Sequence, residues 1–289
     1  MNNFDIIYLI IPFIFYSLQF TILTKYSRTE WSMQVAFYRQ LGIFLVGLPL
    51  LYFFPIDFNL LMENITPILI TSLIWAVYLF INFKSLESIP VAIWIVFSTT
   101  SRILLTILVW ILIFSDVINI YQWIWVILLL IWVLSLLKKW NFDKKWIILS
   151  IIWWVLLVWN WYYFLQYNES FNPIIAGYIL EVFNWIFLIG LLIIQSIYKK
   201  RSLKKSFKIK LKSFWIILAS SPLVIIWTSA VAKSYEIFSF TIVWIVLTMM
   251  IPVSMIFWYL ILKEKLTKKS VFSITFITLS IVLIKFFEK

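Results

Sequence analysis

Apolar runs long enough to cross a lipid bilayer recur along this chain, and they constrain it more than any other feature. Spanning takes about 20 mainly apolar residues. Ten stretches meet or approach that length: Ile6–Thr24, Met33–Phe54, Ile68–Phe83, Ile89–Phe114, Ile120–Leu137, Trp146–Gln166, Pro173–Tyr198, Phe214–Ala232, Ile237–Leu262 and Val271–Phe287. Of the 289 residues, 64% are hydrophobic and 12% charged, against about 45–50% and 25% in soluble domains. The expected fold class is therefore an all-α membrane protein of ten transmembrane helices. The connections are mostly a few residues long, which predicts successive helices side by side and antiparallel. The first run lacks a basic start and a small-residue cleavage site, so it reads as a permanent span rather than a signal peptide.

The chain contains no cysteine and no histidine. Disulfides, thiol nucleophiles and thiolate or imidazole metal sites are thereby excluded, as is the side chain best suited to proton transfer near neutral pH. No metal, cofactor or enzymatic role is expected. The net charge of +12 points to membrane orientation rather than nucleic acid. Loops after the odd-numbered spans hold 19 lysines and arginines, and the opposite side holds Lys233, Lys285 and Lys289. The positive-inside rule places the richer side in the cytoplasm and both termini outside. The longest basic stretch, Lys199 to Lys212, is also suited to anionic lipid head groups. Arg39 and Arg102 fall inside spans.

The chain repeats at half its length. Lys84-Ser85-Leu86-Glu87 before the fourth span matches Lys233-Ser234-Tyr235-Glu236 before the ninth, Trp94-Ile95-Val96 matches Trp244-Ile245-Val246, and Asp116 matches Glu264. Five spans per half turn the second half upside down, giving two inverted repeats, residues 1–140 and 141–289. Inverted repeats are a common build of transporters.

The ninth span, from Ile245 to Thr267, carries Pro252 in mid-helix, then an apolar run, then Glu264-Lys265-Leu266-Thr267. This resembles the drug/metabolite transporter superfamily in its ten-helix EamA-like branch. A degenerate copy ends at Asp116, and Tyr38-Arg39 resembles the aromatic–arginine pair of that family. The resemblance implies a metabolite permease or exporter, for amino acids or similar compounds, working by alternating access in a cell membrane such as the bacterial inner membrane. Its substrate is a small molecule, and its oligomeric state is open. A flippase for a lipid-linked sugar is the alternative within the superfamily. An intramembrane enzyme lacks any nucleophile–base pair to support it. Ten-helix members are often drawn with both termini cytoplasmic, opposite to the charge count here. The family pattern also departs at Arg102, which aligns near Pro252.

A charge at the bilayer centre costs at least about 2.5–3.5 kcal/mol on insertion scales, so such residues are functional candidates. Arg102 lies mid-way along the fourth span. Ser98, Arg102 and Thr106 follow at i, i+4 and i+8 with Ser101 beside them, one polar stripe that suits an anionic substrate group. The alternative is that Arg102 pairs with Glu181 and pins the bundle. Glu181, about 12 Å into the seventh span at 1.5 Å per residue, is either a proton-coupling carboxylate or half of a structural pair; Arg39 is its pseudo-symmetric counterpart. Further candidate cavity residues are Tyr78 and Asn82, Asn160, Tyr162, Tyr163 and Gln166, Tyr16 and Gln19, and Ser220, Ser221, Thr228 and Ser229.

Tryptophan and glycine are out of proportion, 18 against 4. Membrane helices use glycine freely where they approach closely and keep tryptophan to the two interfaces. Yet Trp132, Trp153, Trp154, Trp159, Trp185 and Trp258 fall well inside spans. One reading is glycine encoded by a reassigned UGA codon. The other is an AT-rich gene that depletes glycine and uses tryptophan.

Overall fold

The computed structural model describes residues 5–86, 170–238 and 250–263, with single positions at 120, 123, 124, 127, 128, 156, 159, 160, 163, 164, 166–168, 243, 271, 272, 275, 276 and 279. All the elements it forms there are helical. In chain order they are α1 (Ile6–Ser27), α2 (Ser32–Gly47), α3 (Leu50–Phe53), α4 (Phe58–Glu63), α5 (Ile65–Leu86), α6 (Pro173–Tyr198), α7 (Leu203–Phe207), α8 (Leu211–Ser220), α9 (Pro222–Ile237) and α10 (Met250–Phe257), which runs on as a π turn over Trp258–Leu262. Five segments among the described residues are long and apolar enough to cross a membrane: Ile6–Ser27, Ser32–Phe53, Ile65–Ser85, Pro173–Tyr198 and Leu211–Ile237. At 1.5 Å per residue, 22 residues reach about 33 Å, enough for a hydrocarbon core of about 30 Å. These five segments are compatible with a multi-pass membrane protein. The fourth, fifth, sixth and tenth expected spans lie wholly or largely outside the described residues.

Local chemistry sets the helix ends. Asn172 caps α6, its side-chain oxygen accepting from Ile174 N–H at 3.0 Å, with Pro173 at the first helical position; there the missing proline N–H costs nothing. Asp57 caps α4 by accepting from Asn59 and Leu60. The third span is longer than expected, Ile65–Leu86 rather than Ile68–Phe83. Pro67 is tolerated in its first turn, and the helix continues past Lys84. The eighth is not one continuous helix. Its hydrogen-bond ladder is interrupted at Ser221–Pro222, because proline has no N–H to donate, while the Ser221 backbone stays helical at φ -66° and ψ -35°. The second span is likewise interrupted, ending at Gly47 before the short α3.

Packing is not that of sequential antiparallel neighbours. α1 packs chiefly on α9 and α10, and α2 on α6 and α8, while α1 and α2 touch little. The two halves of the chain therefore interlock. Close approaches use glycine: a Cβ at Gly47 would lie 2.0 Å from the Tyr178 ring, one at Gly42 2.1 Å from Ser221 Oγ, and one at Gly177 2.9 Å from Thr228 Oγ1. Where lipid offers no hydrogen bonds, hydroxyl side chains bond to backbone. Thr21, Thr24, Ser196 and Thr228 donate to carbonyls four residues back in their own helices. Others join helices: Ser17 donates to Met250 O at 3.2 Å, Ser72 to Leu180 O at 3.3 Å, Ser221 to Arg39 O at 3.1 Å and Ser234 to Tyr8 O at 2.8 Å.

The helix directions place the α1–α2 turn and the 199–212 segment at one end of the bundle. The start of α1, the α2–α5 connection, the start of α6 and the end of α9 lie at the other. Exposed aromatics mark both ends, Tyr52, Phe53 and Phe58 at one and Tyr198 and Trp215 at the other, as in the aromatic belts of membrane proteins.

Candidate functional site

Four polar side chains meet where α2 crosses α6. Arg39 and Glu181 are 2% and 1% exposed. The guanidinium meets the carboxylate twice, Nη1 to Oε2 and Nη2 to Oε1, both at 3.4 Å. Gln40 Nε2 donates to Glu181 Oε2 and to the Glu181 backbone carbonyl, and its own side-chain oxygen accepts from Arg39. Asn184 Nδ2, one turn along α6, donates to Oε2 at 3.1 Å. Every contact to the carboxylate is thus from a donor, and two of the donors are neutral amides. Such an arrangement ties two helices together. Glu181 is engaged by Arg39, and the expected alternative partner, Arg102, is not needed to balance it. Arg102, Ser98 and Ser101 lie outside the described residues, as do Thr106 and Tyr162.

Among the described residues, two cavities lie between α6 and α9. The larger, about 490 Å³, opens at the end away from the basic loops. It is walled by Tyr8 and Ile11 of α1, Ile174 of α6, and Ile225, Ser229 and Lys233 of α9. Lys233, at its rim, pairs with Glu236. The smaller lies deeper, about 10 Å³ between Trp75, Asn160, Phe164, Leu180, Trp227 and Thr228, space for one water at most. Asn160 Oδ1 and Ser229 Oγ are buried without a hydrogen-bond partner.

The structure thus brings Asn160 and Thr228 together at the inner cavity. Tyr78 stands one ring away, stacked on Trp75 with centroids 5.0 Å apart. Tyr16 reaches the same cluster through an edge contact to Trp227 at 5.1 Å. Tyr163 is half-buried and Gln166 exposed; neither lines the cavity.

At the opposite end the described residues pack together. The basic segment after α6 folds back over the α1–α2 turn. Gln34 Nε2 donates to the carbonyls of Lys205 at 3.1 Å and Lys208 at 2.8 Å, and Tyr38 donates its hydroxyl to Phe207 O. Arg201 and Lys199 stand over the Trp31 ring at 4.6 and 5.7 Å. Ser213 donates to Glu30 at 2.8 Å. Sequence reasoning missed this docking, because its acceptors are backbone carbonyls that leave no trace in residue identity. Polar Gln34 and Tyr38 at i and i+4 on an apolar helix were the available signal.

No family model and no curated protein matches the chain. Among solved structures it is similar to one described only as "Crystal structure of protein", with a TM-score of 0.66 at 10% identity, covering 96% of this chain and 99% of that one. At that identity the likeness concerns the fold alone, and it extends over nearly the whole of both chains.

Proposed function

We propose that this chain is a transporter of small metabolites, amino acids or similar compounds, built of ten helices in two inverted five-helix repeats (residues 1–140 and 141–289) and working by alternating access. The observation that carries the reading is an asymmetry among the described residues: a vestibule of about 490 Å³ opens at one end, while at the basic end the 199–212 segment is docked on α2. A site reached from one side at a time is what alternating access requires. The interlocked halves and the buried Arg39–Glu181 pair support it further. Intramembrane charges cluster at transport pathways. The charge distribution supports a vestibule that faces outside and a docked segment that faces the cytoplasm.

The test is purified protein in proteoliposomes preloaded with single amino acids, challenged with labelled amino acid outside. Counterflow above that of empty liposomes is expected for at least one amino acid. Counterflow of none, with movement of a lipid-linked sugar between leaflets instead, replaces the proposal with a flippase.

A further inference from the structure

Three buried tryptophans do not behave as tryptophans. Trp75, Trp227 and Trp258 are 5%, 3% and 1% exposed, and the indole N–H of each is buried without an acceptor. Buried indoles ordinarily find one, and an orphaned donor forfeits its hydration for nothing in return. The three sit on different helices, so one misplaced neighbour does not account for them. Trp258 also opens the π turn, a rare widening of the helix, beside the α1 contact. Trp31 and Trp185 also have an unpartnered indole N–H, but both are only half-buried. Trp31 lies at the basic end, where tryptophan is at home, and its ring face is used by Arg201 at 4.6 Å.

Composition points the same way. Average usage of about 7% glycine would give roughly 20 in a chain of this length. This one has 4, all but one of them at a close contact, and 18 tryptophans, 22 of the two together. An AT-rich gene explains part of the loss: Lys200 and Lys263 occupy left-handed turns, φ 51° and 55°, that glycine usually takes. It does not explain the tryptophans, whose ordinary codon, UGG, is itself guanine-rich. A UGA codon, read as glycine in the cell and as tryptophan in the code that spells this chain, explains both.

We infer that the native protein carries glycine at positions 75, 227 and 258, and that the space freed at 75 and 227 is the midplane substrate chamber. The two rings stand 6.4 Å apart and fill the gap in front of Asn160 and Thr228. Without them the inner cavity expands around Asn160, whose side-chain oxygen is unpartnered. The role of the chamber rests on the transporter reading; the residue assignment does not.

Peptides from protein purified out of its own cells decide the assignment. Masses lighter by a whole indole side chain are expected at all three positions, with UGA at each codon. Intact tryptophan at any of them overturns the assignment there. The chamber is read separately. Asn160→Cys should react with a small hydrophilic thiol reagent in a chain carrying Trp75→Gly and Trp227→Gly, and stay unreactive with both tryptophans present. Equal reactivity in the two backgrounds overturns the chamber even if the masses show glycine. Glycine masses and an open chamber in a protein that transports nothing would leave the inference standing and defeat only the function proposed above.

Discussion

Replacing Arg39 by alanine lowers stability by about 3–5 kcal/mol, the cost of stranding the other member of a buried ion pair. The Glu181 carboxylate is 1% exposed and has no water to turn to. It would keep only the amide donors of Gln40 and Asn184, which carry no compensating charge. Gln40 would in turn lose the guanidinium that its oxygen accepts from. The loss should appear as a large fall in the thermal midpoint in detergent. Removing both charges with shape-matched residues, Arg39→Met with Glu181→Leu, should recover most of it, because a buried pair is worth little against a well-packed apolar replacement. A drop in R39A below about 1 kcal/mol, the range of solvent-exposed pairs, would show that the carboxylate is hydrated and not a helix tie.

Replacing Arg102 by alanine abolishes transport while the protein stays folded in the membrane. Two roles are open to a charge in mid-span: pairing with Glu181, or meeting an anionic group of the substrate. Glu181 is already engaged by Arg39, Gln40 and Asn184, which removes the structural reason for Arg102. On the transporter reading, we propose that a charge kept at the bilayer centre against a penalty of about 2.5–3.5 kcal/mol meets an anionic group of the substrate. Counterflow in proteoliposomes reads the loss, and a size-exclusion profile like that of the parent reads the fold. Normal counterflow, or a protein that aggregates when Arg102 is removed, contradicts the assignment.

Helix ends were legible in the sequence where one residue carries the signal. Asn172 and Pro173 mark the start of α6, and the run of lysines from Lys199 marks its end, so the expected and observed spans coincide at Pro173–Tyr198. The third span came out short at its end because Lys84 read as a loop residue, although a lysine near the end is compatible with a membrane helix. Pro222 was the visible cause of the interrupted ladder in the eighth span, yet the apolar run continues across it. Arg39 and Glu181 were each legible as buried charges. That they meet depends on α2 lying against α6, across 142 residues of chain, which no local pattern encodes. The cavity walls are equally non-local: Tyr8, Ile174 and Ser229 converge only because the halves interlock.

The most direct test of one-sided access is the reaction of a single introduced cysteine with a membrane-impermeant thiol reagent applied from each side. The chain has no cysteine of its own, so the signal is unambiguous. Ile174→Cys, in the vestibule wall, should react from outside in intact cells and resist the reagent in inside-out vesicles, whereas Lys205→Cys should show the reverse. Adding Gln34→Ala and Tyr38→Phe removes the hydrogen bonds that hold the basic segment, each worth about 0.5–1.5 kcal/mol net, and should shift Ile174→Cys toward reaction from the cytoplasmic side with a matching loss outside. If its outside reactivity is unchanged when the segment is released, the vestibule is a fixed depression and the alternating-access account is wrong.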